Sequence, residues 1–394
     1  MDTFCIRSWN WYLFDMDTME SRMCCKTPWT KMAPGVDWFN DQRMRKRRDD
    51  QLNGIQTPDC NHCWNVETQG RQSIRENRGR HLLGNDKLAP IADAMLEIVL
   101  GNTCDMACRY CSERESSVWA ERSGQNVHTK MSRQENRNTD RYHQCLRDFY
   151  QWLARTKLTK IIISGGEPLI MERFYDLIDS VDLTDTIIQI NTNLNTPLRY
   201  LDRAITVIEK LLANNNTVQI RASLDGVGAQ QEWQRQGSSW ETIVHNYYKI
   251  AKTGCQMVVA PTITPLTMEG LGNLADFVAD SGKQIPKLPY WQKNNFVLNP
   301  APLSLLGWTS CYKDEINTLL RHILERKILT TGTDHSEQLR YWLSLDSDYP
   351  DHAKAARLVA YCDKSQALWG GSDWRSVYPK TAEIAQRVLD QGPT

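Results

Sequence analysis

The sequence predicts an α/β protein: a partial (β/α)6 barrel, preceded by a Cys-rich segment and followed by a helical region. Three observations carry this. From residue 95 onward, short apolar strands alternate with stretches of helical periodicity, the signature of parallel βαβ units. Cysteines 5, 24, 25, 60, 63, 104, 108 and 111 all fall in the first third of the chain, and the other four of the 12 are scattered singly. Residues 1–80 are rich in Cys, Trp, Arg and Asp and poor in aliphatics, so that segment needs a metal or a similar staple to organise it.

The expected order is a Cys-rich module over 1–80, a linker over 81–94, a barrel over 95–305 and a helical region over 306–394. Trp9–Phe14 reads as a strand, with a turn at Asp15–Asp17 and a second strand ending at Met23. Leu96–Leu100 is a strand running into a cysteine loop, and Tyr142–Thr156 has helical periodicity. Strands follow at Lys160–Ser164, Thr186–Asn191, Val218–Ser223, Met257–Ile263 and Asn295–Leu298. Helices lie between them at Phe174–Ser180, Leu201–Ala213, Trp240–Thr253 and Leu271–Ser281. Six such units suit a partial barrel whose site is built from loops at the C-terminal ends of the strands; a doubly wound open sheet is the alternative. Glu315–Leu329 and His352–Tyr361 read as helices of the C-terminal region.

Composition excludes several classes. With 47 basic and 47 acidic residues the formal net charge is zero, which argues against bulk electrostatic binding of nucleic acid. No apolar run approaches the roughly 18 residues of a membrane helix, and Met1–Cys5 lacks a basic start with an apolar stretch, so it is no secretory signal. The chain reads as cytoplasmic, with no membrane partner. In that reducing setting clustered cysteines point to metal or catalysis rather than to disulfides.

Cys104, Cys108 and Cys111 form a Cys-x3-Cys-x2-Cys loop directly after a strand. Three thiolates on one loop can hold three irons of a [4Fe–4S] cube and leave the fourth iron open. A structural zinc wants a fourth protein ligand, and none lies nearby in sequence. With the aromatic Tyr110 just before the third cysteine, the loop resembles the signature of the radical S-adenosylmethionine (SAM) enzymes. That resemblance implies a partial (β/α)6 TIM-like barrel, a cluster whose open iron chelates SAM, and reductive cleavage of SAM to a 5′-deoxyadenosyl radical.

The neighbouring motifs are in register with it. Ser164-Gly165-Gly166-Glu167-Pro168 ends the second barrel strand and resembles the family's GGEP element, which contacts the SAM amino group. Glycines permit close backbone approach, and the Glu167 carboxylate can oppose an ammonium. Asn191 and Asn193, ending the third strand, resemble the ribose-binding position. Ser223 and Asp225 end the fourth strand, with Arg235 beyond. In the branch with extra clusters a serine and an arginine at such places contact the SAM carboxylate, against strand-end capping and a surface salt bridge as plainer readings. Tyr110 is expected near the adenine.

A second constellation is Cys5, Cys24, Cys60 and Cys63, with Cys25 as a substitute for Cys24. Cys60-Asn61-His62-Cys63 is a CxxC compatible with zinc, iron–sulfur or redox use. The string that follows, with Trp64, Glu67, Gly70, Ser73 and Arg75, resembles the auxiliary-cluster modules called SPASM or twitch. It implies a second [4Fe–4S] cluster held by those four cysteines. Here the module precedes the barrel, whereas the familiar one follows it; a structural zinc is the competing reading.

Among the scattered cysteines, Cys311 follows the last barrel strand and is the candidate hydrogen-atom donor, against the plain reading of a small buried hydrophobe. Cys255 belongs at the opposite end of the barrel. The basic run Arg43, Arg45, Lys46, Arg47, Arg48 reads as a solvated loop balanced by Asp41, Asp49 and Asp50. The whole is expected to be a radical SAM oxidoreductase that takes electrons from a flavodoxin or ferredoxin. Its radical would abstract hydrogen from a C–H bond of a peptide or natural-product substrate, or alternatively of a small metabolite, sugar or nucleotide. A non-catalytic iron–sulfur or zinc binding protein is the reading from another class.

Overall fold

A computed structural model of the chain describes all residues except 1–2, 38, 69–72, 76–78, 92–93, 125–136, 293–294, 297–300, 306, 326–328, 332–348 and 393–394. The chain divides into two compact units. Met1–Gly101, His128–Gln189 and Asn214–Thr217 form the first; Asn102–Val127, Ile190–Ala213 and Val218–Thr394 form the second.

The first unit is built on β1 (Trp11–Asp15), β2 (Glu20–Arg22), β3 (Thr30–Lys31), β4 (Ala94–Val99) and β5 (Leu158–Ser164). Their order is β5-β4-β1-β2-β3. β1, β4 and β5 run parallel, and β2 and β3 add antiparallel. Asp15 lies opposite Val99 and Val99 opposite Ser164, so the three parallel strands end in line. The N-terminal segment therefore supplies the strand next to the one that leads into the cysteine loop. The longer helices of this unit are α1 (Gln42–Leu52), α2 (Asn61–Thr68), α3 (Asp140–Leu153) and α4 (Glu172–Ser180). Thr139 caps α3 by accepting from the Tyr142 N–H, satisfying one of the orphan donors of a first turn. Its buried Tyr142, Cys145, Phe149 and Leu153 recur at three- and four-residue steps, the spacing of one helix face. Phe149 stacks on Phe14 of β1 at 4.1 Å and Trp152 on Phe39 at 3.7 Å, which seats that face on the sheet.

The second unit carries β6 (Ile187–Thr192, from Ile190 on), β7 (Thr217–Ala222), β8 (Gln256–Val259), β9 (Tyr290–Gln292) and β10 (Leu329–Thr331), in the order β6-β7-β8-β9-β10. β7, β8, β9 and β10 are parallel to their neighbours. Around them come α5 (Leu198–Ala213), α6 (Trp240–Ala251), α7 (Leu271–Ser281), α8 (Lys313–Glu325), α9 (His352–Trp369) and α10 (Pro379–Asp390). The fold is thus α/β with parallel strands joined through helices, consistent with the partial barrel the sequence predicts. Among the described residues no helix is long and apolar enough to cross a membrane.

Three details depart from the sequence reading. The strand expected over Met257–Ile263 breaks after Val259, because Pro261 has no N–H for a ladder. Thr262–Ile263 then pairs separately with Asn295–Phe296, and the place beside β8 goes to Tyr290–Gln292; Val297 and Leu298 lie outside the described residues. Leu329–Thr331, at the end of an expected helix, is a strand, as its two β-branched threonines favour. The basic run is α1 rather than a solvated loop, with Arg47 and Arg48 buried.

Arg48 is fully enclosed. Its Nε donates to the Ser8 carbonyl (2.7 Å), Nη1 to the Leu88 carbonyl (2.9 Å) and Asn40 Oδ1 (3.0 Å), and Nη2 to the Phe39 carbonyl (2.8 Å). One side chain thus ties three stretches of chain, at Ser8, Phe39–Asn40 and Leu88, to α1. Arg48→Met leaves those buried acceptors unpaired, at about 1–3 kcal/mol for each that water cannot reach. Calorimetry is expected to show a melting point several degrees below wild type, with Arg48→Lys falling between.

Candidate functional site

In the second unit the cysteine loop is closed by hydrogen bonds to the residues on either side of it. The Ser117 N–H donates to the Asn102 carbonyl (2.7 Å), Asn102 Nδ2 to the Glu113 carbonyl (3.0 Å), and Ser116 Oγ to the Met106 carbonyl (2.6 Å). Ala107–Cys108 forms a short antiparallel ladder with Arg235–Gln236, in which Cys108 faces Arg235. Gly237 sits at φ +100°, and a Cβ there would come 3.3 Å from the Asp105 carbonyl, so glycine lets the two segments approach. Asp105, between the first two cysteines, is gripped from both sides: Asn193 Nδ2 donates to Oδ1 (2.7 Å) and Asn195 Nδ2 to Oδ2 (3.1 Å).

Behind the loop lies a buried charge pair. Asp225 accepts from Arg235 Nε (2.7 Å) and Nη2 (3.2 Å), from the Thr262 N–H (2.7 Å) and from the Tyr110 hydroxyl. The remaining arm of Arg235, Nη1, reaches Cys108 Sγ at 3.9 Å. Burial pushes the Cys108 thiol up and Cys111 up to about 12, while the Arg235 guanidinium pulls both down. Arg109, also buried, ties the loop to the C-terminal region. Its Nε donates to the Trp233 carbonyl (2.6 Å), Nη1 to Ser365 Oγ (2.8 Å) and Nη2 to the Gly370 carbonyl (2.8 Å), and the Tyr361 hydroxyl donates to the Arg109 carbonyl.

In the first unit, Ser164–Pro168 turns at the end of β5. Gly165 has φ +133°, and a Cβ there would lie 2.6 Å from the Gly101 carbonyl. That carbonyl accepts the Gly166 N–H at 2.8 Å, so this position requires glycine. Glu167 is buried and accepts the Leu169 N–H (3.1 Å), capping the short turn Pro168–Ile170. Ser164 Oγ donates to the Ile98 carbonyl (3.1 Å).

The same unit holds a cavity lined by Cys5, Cys24, Cys60 and Cys63 together with Arg7, Lys26, Arg47 and Arg75. Cys25 is exposed and is not part of the lining. Burial raises the Cys5 thiol to about 11 and raises Cys63, and Arg7 and Arg75 oppose the rise. Glu67 accepts from Ser73 Oγ (2.5 Å) and pairs with Arg75, whose guanidinium lies over Trp64 at 4.2 Å. Arg75 Nη1 also donates to the Phe4 carbonyl (3.1 Å). The Glu-Ser-Arg string of the sequence is therefore the wall that locks Cys63 beside Cys5; Gly70 lies outside the described residues.

Residues 98–278 match the family described as Radical SAM superfamily. The chain carries a radical SAM domain. No curated protein matches the chain. Among similar solved structures, Streptococcus suis SuiB bound to S-adenosylmethionine is 14% identical with a TM-score of 0.41, over 62% of this chain and 51% of that one. Native anSMEcpe with bound AdoMet is 11% identical with a TM-score of 0.40, over 75% and 98%. A spore photoproduct lyase mutant with dinucleoside spore photoproduct is 13% identical with a TM-score of 0.37, over 68% and 91%. The chain spans about half the length of the SuiB chain it matches.

Within the radical SAM domain, the second unit brings Cys104, Cys108, Cys111, Tyr110, Asn193, Asp225 and Arg235 into one hydrogen-bonded neighbourhood. Ser223 directly follows β7, its N–H on the Thr192 carbonyl (2.9 Å) and its own carbonyl accepting Gln231 Nε2 (3.2 Å). Asn191 is half-buried on β6. Cys311 lies in the turn before α8, its N–H on the Trp308 carbonyl (3.0 Å), and Cys255 is buried ahead of β8. Arg235 is not a surface ion pair: it is 7% exposed and Asp225 1%.

None of the cysteines forms a disulfide. Among the described residues no three His, Cys, Asp or Glu side chains converge at metal-ligating distance. The donor sets nevertheless suit iron–sulfur clusters: both are soft thiols with cationic neighbours that offset thiolate charge.

Sequence reasoning missed Asp105, Asn195 and Arg109. Asn195 repeats the Asn-x-Asn step of Asn191 and Asn193, which was the available signal; Arg109 had none beyond lying between two cysteines. Arg109→Ala removes three donors, two of them from the buried Trp233 carbonyl and Ser365 hydroxyl, at about 2–4 kcal/mol. Hydrogen exchange is expected to quicken at least tenfold over residues 361–371, while exchange in β1 and β4 is unchanged.

Proposed function

We propose that this chain is a radical SAM enzyme in which Cys104, Cys108 and Cys111 hold a [4Fe–4S] cluster. The observation that carries this is the three-cysteine loop inside the matched segment, pinned by the ladder to Arg235–Gln236 and by the grip of Asn193 and Asn195 on Asp105. When bound, the cluster supplies one electron to the sulfonium of SAM, releasing methionine and a 5′-deoxyadenosyl radical that takes a hydrogen atom from a C–H bond of a second substrate. The chain's residues present thiolates, orient SAM and keep water out. Ser223 and Asn193 offer polar groups to SAM, and Tyr110 an aromatic face. The Gly165–Gly166 backbone and the Glu167 carboxylate are assigned to its amino group. Cys311 is the candidate donor of the returning hydrogen atom.

We assign a second [4Fe–4S] cluster to Cys5, Cys24, Cys60 and Cys63, which share one cavity with four cationic side chains. The resemblance of that module to SPASM and twitch modules supports a peptide or peptide-derived natural product as substrate, and a flavodoxin or ferredoxin as electron source.

Two measurements test this. Anaerobically reconstituted wild type with a strong reductant is expected to release 5′-deoxyadenosine, and Cys104→Ala none; equal release from both would sink the enzyme reading. Iron analysis is expected to give about eight irons per chain, falling to about four in Cys60→Ala and in Cys104→Ala. A zinc content of one per chain that Cys60→Ala abolishes would replace the second cluster by a structural zinc.

A further inference from the structure

The geometry points to Arg235 and Asp225 as a buried charge pair that sets the reduction potential of the cluster on Cys104, Cys108 and Cys111. This rests on the cluster assignment above and adds a positioning role that sequence alone does not give.

Arg235 has two kinds of partner. Nε and Nη2 form a forked contact with both oxygens of Asp225 (2.7 and 3.2 Å), and Nη1 is directed at Cys108 Sγ (3.9 Å). The arrangement is over-determined. The Cys108–Arg235 backbone register fixes the spacing, and the Thr262 N–H and the Tyr110 hydroxyl fix Asp225 from its other sides. Adding an electron to a thiolate-bound cluster places more negative charge on its sulfurs. A guanidinium donor at one of them stabilises the reduced form and raises the potential, since hydrogen bonds to the sulfurs and net charge are what tune such clusters. Asp225 works the other way, because its charge offsets most of the guanidinium field. Both groups are shut from water, where such charges are weakly screened. The potential is therefore a balance between two opposed charges, and removing either one tips it in a known direction. Tyr110 joins the balance through its hydrogen bond, which offsets part of the Asp225 charge.

The two single variants separate this role from simple scaffolding, because their effects have opposite signs. Arg235→Gln strips the cation and leaves Asp225 charged, so the midpoint potential falls. Asp225→Asn strips the anion and leaves Arg235 charged, so it rises. Each shift is expected to be at least a tenfold change in the ratio of oxidised to reduced cluster at fixed potential, or ~59 mV for one electron. Tyr110→Phe is expected to move it in the direction of Arg235→Gln, by less. The measurement is a redox titration of the reconstituted full chain followed by electron paramagnetic resonance. It is done without SAM in a Cys60→Ala, Cys63→Ala background, so that one cluster is read.

Opposite shifts at an unchanged content of about four irons support the proposal. Shifts of the same sign, or none, overturn it. Should Arg235→Gln fail to take up iron, Arg235→Lys and Asp225→Asn carry the test: a rise in Asp225→Asn alone supports it, and an unmoved value overturns it. A wild type that shows no iron–sulfur signal overturns the cluster assignment together with this inference. A normal signal at an unmoved potential overturns the inference only.

Discussion

A loop that must present three thiols has little apolar surface to bury and so cannot hold itself. Here the solution is a buried guanidinium on each side of Cys108. Arg109 reaches outward to the Trp233 carbonyl, Ser365 and Gly370, and Arg235 reaches inward to Asp225. Guanidinium is suited to this because its donors fan out in a fixed plane and stay charged when buried. Burial lowers Arg109 only to about 10, so it remains a cation at neutral pH. The consequence is that helix α9, in the C-terminal region, is part of the loop's support. Ser365, Gly370 and the Tyr361 hydroxyl all act on one arginine between two cysteines, although more than 250 residues separate them in the chain.

The first unit solves a comparable problem with backbone. The Gly101 carbonyl receives the Gly166 N–H where β4 and β5 leave the sheet, and no side chain fits at Gly165. Asp17, just past the end of β1, lies where a Cβ on Gly101 would strike it at 2.7 Å. Its carboxylate takes Arg173 (2.6 Å) and Arg137 (2.5 Å). Three aligned strand ends are thereby fixed by one close backbone approach and one buried carboxylate.

What the sequence made legible follows from periodicity. Helices such as Asp140–Leu153 repeat apolar residues at the period of their own geometry, strands such as Leu158–Ser164 carry a short β-branched run, and both can be placed without knowing their neighbours. The three-cysteine loop was legible because its spacing is itself the chemistry. The rest depended on long-range partners. Arg48 looked like one of several solvated cations, and only the carbonyls of Ser8, Phe39 and Leu88 make it a core residue. Arg235 and Asp225 were visible as candidates, but nothing local shows that they face each other rather than solvent. Pro261 splitting the fifth strand was readable from its missing N–H, whereas the replacement of Asn295–Leu298 by Tyr290–Gln292 beside β8 was not.

The position of the Cys5–Cys63 cavity bears on what a cluster there would do. Cys5, Arg7 and Ser8 precede β1, and Cys24, Lys26 and Thr27 follow β2, whose Arg22 pairs with Leu13. The cavity therefore sits toward the N-terminal end of β1. The Ser164–Gly166 turn lies at the other end of the parallel set, in line with Asp15. The five residues of β1 at ~3.3 Å each put about 17 Å of strand between the two ends. A cluster held by these cysteines would thus be too far from Glu167 for direct ligation of a substrate bound at that turn. Electron transfer and structural support are the roles that tolerate such a separation. The second fits the composition of residues 1–80, where α1 and α2 gather around thiols and arginines beside a small apolar cluster of Phe4, Ile6 and Trp9.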